Sequence, residues 1–116
     1  MPKKYLLKFN QANSESVYSF DAIRSGEKWV ETRAATPKYI SIKVGDILVF
    51  ECGDKKLERK VLQVAVFKNI SILLKKYKVT DIMPNKKTKA DLEAAYFSYP
   101  DYKEKIEKFG LIAFEI

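Results

Sequence analysis

Residues 26–33 have the sequence Gly-Glu-Lys-Trp-Val-Glu-Thr-Arg, and the arrangement of the rest of the chain follows from this stretch. Gly26 suits the position just after the end of a helix, and the β-branched and aromatic residues that follow are typical of a strand. Lys28, Glu31 and Arg33 therefore bring three charges to the start of a strand. Charges at such a place either line a pocket or coat a surface.

The predicted strand has two distinct faces, because successive side chains of a strand point to opposite sides. Val30 and Thr32 share one face, and they are expected to face the core. Trp29, Glu31 and Arg33 share the other face. Glu31 and Arg33 therefore lie on the side opposite the expected core.

The remaining segments predict a mixed α and β chain. Alternating and β-branched runs predict strands at about residues 5–9, 29–34, 47–52, 57–67 and 111–116. Apolar residues three or four apart, bounded by turn and capping residues, predict helices at about residues 15–25, 70–74, 89–97 and 101–108. Gly53 and Asp54 predict a hairpin turn.

Length and composition limit the class of protein. With 116 residues, 47% of them hydrophobic, the chain is long enough for one domain over residues 1–116 and too short for two. It has no apolar run of the roughly 18 residues that a membrane-spanning helix needs, so no membrane partner is expected. The single Cys52 favours a reducing compartment and predicts a cytoplasmic location. A monomer is assumed.

The absence of histidine excludes several kinds of active site. With no His and one Cys, the usual zinc sites and the Ser-His and Cys-His triads are excluded. No metal and no cofactor are expected. Any catalysis has to use Lys, Glu, Asp, Tyr, Thr or Ser.

The net charge of +7 is concentrated in residues 68–89, the lysine-rich segment, where seven lysines accompany a single acid, Asp81. A basic segment beside an exposed aromatic favours a phosphate backbone as the ligand. The alternative interpretation is a solvated surface that uses lysine by default. The candidate contacts to a nucleic-acid backbone are Lys75, Lys76, Lys78, Lys86, Lys87 and Lys89.

The residues Gly, Lys, Glu and Arg at positions 26, 28, 31 and 33 resemble the GxKxxExR signature of the ASCH domain, a relative of the PUA domain. The resemblance covers nearly the whole chain, because residues 42–50, 96–98 and 109–114 are also similar to segments of small single-domain prokaryotic members. It implies an α+β fold, a PUA-like β-barrel of about five or six strands with flanking helices. It also implies a cleft beside the signature that binds RNA or a nucleotide-like ligand.

The resemblance implies activities that diverge. Some small bacterial members hydrolyse acylated cytidine, and ribonuclease activity has also been ascribed to the family. The amidohydrolases carry a Thr three residues after the signature Lys, where this chain has Glu31. They also use a distant Glu, for which Glu93 and Asp81 are the candidates here. The presence of Glu31 in place of this Thr weakens the inference that the chain shares the hydrolase activity.

Lys28 and Glu31 are the catalytic candidates if the protein is an enzyme. A close carboxylate favours the protonated form of an amine, so Lys28 beside Glu31 is expected to stay an ammonium. It would then act as an electrostatic clamp on a phosphate or carbonyl, or as a stabiliser of a developing oxyanion, rather than as a base. Glu31 is the candidate proton acceptor.

Arg33 offers two parallel hydrogen bonds to a phosphate or a nucleobase edge. The alternative is an internal ion pair with Glu31 or Asp46. Trp29 and Tyr96 are candidates for stacking on bases. Core packing is nevertheless favoured for Trp29, because large aromatic side chains in small domains are mostly buried.

Two functions from different classes follow. The favoured hypothesis is an RNA- or nucleotide-binding module whose cleft is lined by Lys28, Glu31, Arg33, Trp29 and Tyr96. The lysine-rich segment is expected near the rim of this cleft, where it adds salt-dependent attraction. The alternative is a hydrolase of a modified nucleoside, or a ribonuclease, with Glu31 as general base. A third possibility is a protein-interaction domain that has lost the ligand, which a cleft filled by its own side chains would indicate.

Overall fold

The computed structural model describes residues 2–116 of the chain. These residues contain six strands and six helices. The strands are β1 (Lys4–Phe9), β2 (Val30–Ala34), β3 (Ile47–Cys52), β4 (Lys55–Lys60), β5 (Gln63–Phe67) and β6 (Leu111–Glu115). The helices are α1 (Ser14–Ser25), α2 (Pro37–Ile40), α3 (Ile70–Lys76), α4 (Val79–Ile82), α5 (Lys89–Phe97) and α6 (Tyr102–Phe109). None of these helices is long and apolar enough to cross a membrane.

The strands form two three-stranded sheets. In the first sheet the order is β1-β3-β4, with β1 parallel to β3 and β3 antiparallel to β4. In the second sheet the order is β2-β6-β5, and both pairings are antiparallel. The C-terminal strand β6 therefore lies at the centre of its sheet, whereas β1 and β2 are edge strands.

Strand β6 contributes to both hydrophobic cores. Leu111 and Ala113 face the core that the helices α3 to α6 cover, whereas Ile112 and Phe114 face the core formed with the first sheet and α1. All four side chains are fully buried. Because β6 is buried on both faces, the second sheet is the middle layer of the molecule.

The closed barrel expected from the resemblance is not formed. A barrel would require a hydrogen-bonded ladder between the edge strands β1 and β2, and none joins them within residues 2–116. Side chains lie between these strands instead, since the guanidinium carbon of Arg33 in β2 lies 5.1 Å from the ring centroid of Phe9 in β1. Strands with side chains between them cannot reach the ladder spacing of about 4.8 Å. The α+β class and the flanking helices are as expected.

The run predicted as one strand, residues 57–67, is divided between the two sheets. The N–H of Val61 donates to the carbonyl oxygen of Asp46 at 2.8 Å, next to the first sheet. The N–H of Leu62 donates to the carbonyl oxygen of Glu115 at 2.8 Å, in the second sheet. The chain changes sheets between these neighbouring residues, and the continuous run of strand-forming residues hides the change.

Helix α1 connects the two edge strands, and capping residues define its ends. The side chain of Asn13 accepts a hydrogen bond from the N–H of Ser16 at 3.0 Å, and Gly26 ends the helix with φ of 88°. The N–H of Lys28 then donates to the carbonyl oxygen of Ala22 at 3.0 Å. This bond holds the start of the signature strand against the end of the helix.

Two glycines with positive φ provide a matched test of the fold. At Gly110 (φ 79°), just before β6, an added Cβ would lie 2.4 Å from the carbonyl oxygen of Phe67, whereas at Gly26 (φ 88°) it would meet nothing within 4 Å. We expect Gly26→Ala to lower the free energy of unfolding by about 1–2 kcal/mol, the cost of the left-handed conformation. Gly110→Ala should cost clearly more, because its ψ of −164° lies in a region that essentially only glycine occupies and the overlap with Phe67 adds to that cost. Urea unfolding of both variants measures the difference, and equal losses would contradict the expectation.

Candidate functional site

A cleft of about 390 Å³ opens between the edge strands β1 and β2. Residues of helix α1, the end of α5 and the start of α6 complete its lining. Cavities that hold small ligands have volumes of about 300–1,000 Å³, so the size of this cleft suits a small molecule or part of a larger one. It is the candidate functional site.

Lys28, Glu31 and Arg33 form a chain of two ion pairs on the wall of this cleft. Nζ of Lys28 lies 3.3 Å from Oε1 of Glu31, and a guanidinium nitrogen of Arg33 lies 3.2 Å from Oε2. The side chains of Lys28 and Glu31 are 2% and 5% exposed, whereas that of Arg33 is 17% exposed. The three charges therefore line a pocket, and Arg33 is the member most open to a ligand.

The ammonium of Lys28 is committed to acceptors within the protein. Besides approaching Glu31, Nζ donates to the carbonyl oxygens of Val30, at 3.0 Å, and Ile82. Three acceptors match the three N–H donors of an ammonium, whereas a neutral amine has only two. Burial lowers the pKa of Lys28, and the carboxylate of Glu31 opposes that shift. The arrangement of acceptors favours the protonated form.

Glu31 is held as a carboxylate. Its Oε1 accepts a hydrogen bond from the N–H of Thr32 at 2.9 Å, and its Oε2 accepts one from Arg33. Burial alone would raise the pKa of Glu31, but the charges of Lys28 and Arg33 and the N–H of Thr32 together hold it below its ordinary value. A carboxylate with a lowered pKa stays ionised and can accept N–H groups of a ligand, but it is a poor proton acceptor near neutral pH.

The guanidinium of Arg33 lies over two aromatic rings. Its central carbon is 5.1 Å from the ring centroid of Phe9 and 5.8 Å from that of Tyr39, distances typical of cation–π contacts. One of its nitrogens donates to Glu31, so the internal ion pair that the sequence offered as the alternative to ligand contact is formed. A guanidinium has five N–H donors, so this bond leaves others for a ligand.

Tyr102 adds a neutral donor to the cleft. Its hydroxyl oxygen accepts a hydrogen bond from the N–H of Ala34 at 2.9 Å, so its own proton points elsewhere. Burial raises the pKa of Tyr102 to about 12, which keeps the hydroxyl protonated. Its ring stacks on that of Tyr96, with centroids 6.1 Å apart, so the position of the hydroxyl is fixed.

The two predicted stacking residues have different positions from those expected. Tyr96 lines the cleft but is 2% exposed, its hydroxyl is hydrogen-bonded to Thr32, and its ring stacks on Tyr102. Its ring therefore supports the wall and is not open to a base. Trp29 is 38% exposed, so the expected core packing is wrong, and it is not part of the cleft lining. Its indole N–H reaches the carboxylate of Asp81 at the surface, at 3.1 Å.

The lysine-rich segment contributes no lysine to the cleft lining within the described chain. Lys86 pairs with Glu15 at 2.6 Å, and Lys89 donates to the hydroxyl of Ser71 at 2.6 Å. The helices of this segment cover the face of the second sheet that points away from the first sheet. Met83 of this segment lines the cleft, but none of its lysines does, so the expectation that these lysines lie at the rim of the cleft is not supported.

Other polar residues of the cleft were not predicted from the sequence. Lys8 lies on β1, Ser16 and Ser19 lie on α1, and Tyr102 and Lys105 lie on α6. The two serines are three residues apart, which places them on one helix face, and this spacing could have indicated a shared polar site from the sequence. The residues of α6 gave no such signal, because they reach the cleft only through the packing of distant segments.

Glu31 is the one acidic residue in the cleft lining among residues 2–116. Of the two candidates for a distant acid, Asp81 bonds to Trp29 and Glu93 borders another cavity between α3, α5 and α6. Asp46, the alternative partner of Arg33, instead accepts two backbone N–H groups. No group of three or more His, Cys, Asp or Glu side chains in this part of the chain is arranged to hold a metal ion.

Known proteins resemble both the sequence and the fold. A family model described as the ASCH domain matches residues 18–116. The crystal structure of hypothetical protein PH0355 is 28% identical, with a TM-score of 0.76 and 96% of each chain covered. The solution NMR structure of protein PF0455 from Pyrococcus furiosus is 24% identical, with a TM-score of 0.67 over 96% of this chain and 94% of that one, a likeness of fold alone. No curated protein matches the chain.

The lowered pKa of Glu31 makes its contribution to stability depend on pH. The unfolded chain binds its proton more readily than the folded chain, so this contribution is present at neutral pH and is lost as the pH falls below about 5. We expect Glu31→Gln to lower the free energy of unfolding by about 3 kcal/mol at pH 7, because it leaves two cations without their counter-charge. The difference from wild type should shrink at about pH 3.5.

Urea unfolding at both pH values measures this difference. The control variant is Glu58→Gln, which removes a carboxylate from an exposed ion pair with Lys4. Such a pair contributes at most about 1 kcal/mol, so the control should change stability little. A loss for Glu31→Gln that is the same at both pH values would contradict the assigned ionisation.

Proposed function

Because the chain belongs to the ASCH domain family, we propose that it is an RNA- or nucleotide-binding domain whose ligand enters the cleft between β1 and β2. The family is generally linked to RNA binding. The observation that carries the proposal is the buried chain of ion pairs, which ends at a partly exposed guanidinium on the cleft wall. An oriented guanidinium beside a carboxylate offers a ligand both donors and an acceptor.

The polar groups of the cleft suit the edge of a nucleobase. Oε2 of Glu31 is an acceptor for an N–H or amino group. The remaining N–H groups of Arg33 and the hydroxyl proton of Tyr102 are donors for a carbonyl oxygen. A heterocycle that presents an N–H group next to a carbonyl satisfies both sets. Single-stranded RNA exposes such edges, because its bases are not paired.

Lys28 has a positioning role in this proposal. Its ammonium bonds to Glu31 and to two backbone carbonyl oxygens, so it orients and neutralises the carboxylate and does not contact the ligand. The sequence suggested Lys28 as the clamp on a phosphate, and we assign this role to other cations instead. Lys8 and Lys105 line the cleft and are exposed, and they are placed to attract a phosphate.

The hydrolase alternative has less support. It needs a proton acceptor, and the pKa of Glu31 lies below its ordinary value because two cations and a backbone N–H stabilise the carboxylate. The ammonium of Lys28 could stabilise developing negative charge only by giving up one of its protein acceptors. A domain that has lost its ligand is also disfavoured, since the cleft keeps a volume of about 390 Å³.

Arg33 provides the direct test of binding in the cleft. We expect Arg33→Ala to weaken binding of a single-stranded RNA of about 12 nucleotides at least tenfold, because a charged hydrogen bond contributes about 1.5–3 kcal/mol. Fluorescence anisotropy with labelled RNA measures the affinity.

The matched control is Arg24→Ala, which removes the same charge from the exposed surface of α1, where Arg24 pairs with Asp21. It should leave the affinity within about twofold, as a screened surface charge does. Equal weakening by both variants would indicate attraction by net charge alone. No weakening by Arg33→Ala would remove the cleft from the proposal.

Turnover assays separate binding from hydrolysis. A panel of acylated cytidines and short RNAs is incubated with wild type and with Glu31→Gln, in the presence and absence of a chelator. We expect no turnover, since Glu31 is a weak base in its ion-paired state. Turnover by wild type that Glu31→Gln abolishes would replace the binding proposal with the hydrolase alternative.

A further inference from the structure

Trp29, the single tryptophan of the chain, lies on a surface outside the cleft. Its indole N–H donates to Oδ1 of Asp81 at 3.1 Å. Its ring meets that of Tyr77 edge to face, with centroids 5.8 Å apart and planes at 79°. These contacts fix the orientation of a ring that remains partly exposed. A rigid, exposed aromatic ring is what a stacking platform for a base requires.

Two lysines of the lysine-rich segment contact the residues that hold this ring. Nζ of Lys76 lies 5.4 Å from the ring centroid of Tyr77, the residue that packs on Trp29. The N–H of Lys78 donates to Oδ2 of Asp81 at 2.9 Å, so one carboxylate joins the indole of Trp29 to the backbone of Lys78. Both lysines are exposed.

The carboxylates beside this patch are both engaged by neighbouring donors. Asp81 accepts from Trp29 and Lys78, and Glu115 accepts the hydroxyl hydrogen bond of Tyr77 at 2.6 Å. Residues 70–80, which include Tyr77, carry three lysines and no acid, and all three lysines are exposed. The chain segment that packs on Trp29 is therefore basic, and its charge complements a phosphate backbone.

We propose that Trp29, Lys76 and Lys78 form a second contact for single-stranded RNA, separate from the cleft. A base stacks on Trp29, and the adjoining phosphates lie against the two lysines. Every base has a π-face, so this contact lengthens the bound RNA without selecting its sequence. The inference rests on the proposed RNA-binding function. It assigns the RNA backbone as the partner of the lysine-rich segment, whose lysines do not line the cleft.

The fluorescence of Trp29 reports this contact directly, because the chain has no other tryptophan. We expect an oligouridine RNA of about 12 nucleotides to quench the emission of the wild-type protein. Uridine monophosphate, which is short enough to be held by the cleft alone, should leave the emission unchanged. Heparin, a polyanion without bases, should also leave it unchanged.

Each outcome of this titration supports or overturns the inference. RNA that binds by anisotropy without quenching Trp29 would overturn the second contact and leave the cleft proposal intact. Equal quenching by heparin would overturn base stacking, since charge alone would then account for the signal. Failure of the RNA to bind while uridine monophosphate binds would overturn the contact and leave nucleotide binding in the cleft, and failure of both to bind would overturn the proposed function as well.

Variants test the two parts of the contact. Trp29→Leu should weaken binding of the RNA at least about fivefold and leave binding of uridine monophosphate unchanged. The double variant Lys76→Ala and Lys78→Ala should reduce the slope of log affinity against log salt by about 1.4, the value for two phosphate contacts to a single strand.

The control for the lysines is the double variant Lys55→Ala and Lys60→Ala on β4, which removes the same charge from the first sheet. It should leave the slope unchanged, and an equal reduction by both pairs would overturn the assignment. Trp29→Phe keeps an aromatic ring and should therefore retain part of the affinity that Trp29→Leu loses. Urea unfolding of each variant shows that the protein is still folded, so that weaker binding is not a loss of structure.

Discussion

The carboxylate of Glu31 is the group on which the site depends. It lies between Lys28 and Arg33 in a place where an isolated charge would be strongly unfavourable, so each charge needs the others. Lys28 also bonds to the carbonyl oxygens of Val30 in β2 and Ile82 in α4. The signature residues therefore join a strand to a helix before any ligand arrives, and the far end of this chain of charges, the guanidinium of Arg33, is its most exposed part.

The position of the cleft follows from the way the two sheets meet. Strand β6 is buried on both faces and holds the second sheet between the helices and the first sheet. The edge strands β1 and β2 come together through Arg33 and Phe9 without forming a ladder. An unclosed pair of edges leaves backbone and side chains accessible where a closed barrel would bury them. The same feature that departs from the expected barrel therefore creates the cavity.

Much of the local structure was predictable from residue patterns. Asn13 and Gly26 indicated the ends of α1, and the alternation along β2 correctly separated the face of Val30 and Thr32 from that of Glu31 and Arg33. The pattern did not predict that both faces of this strand are buried, because charged residues ordinarily indicate a face exposed to solvent. The single-turn helices α2 and α4 and the division of residues 57–67 between two sheets were also missed, since short helices and sheet changes leave no period in the sequence.

The sequence by itself determined the family, the α+β class, the signature strand and the charges that it carries, because these depend on residue type and on spacing over a few positions. Tertiary structure alone decided which of these residues meet. It buried Lys28, packed Trp29 on Tyr77 at another surface and brought Tyr102 to the N–H of Ala34. Contacts between residues far apart in the chain are set by the packing of whole layers, and the stretch from Gly26 to Arg33 contains no information about the surfaces packed against it.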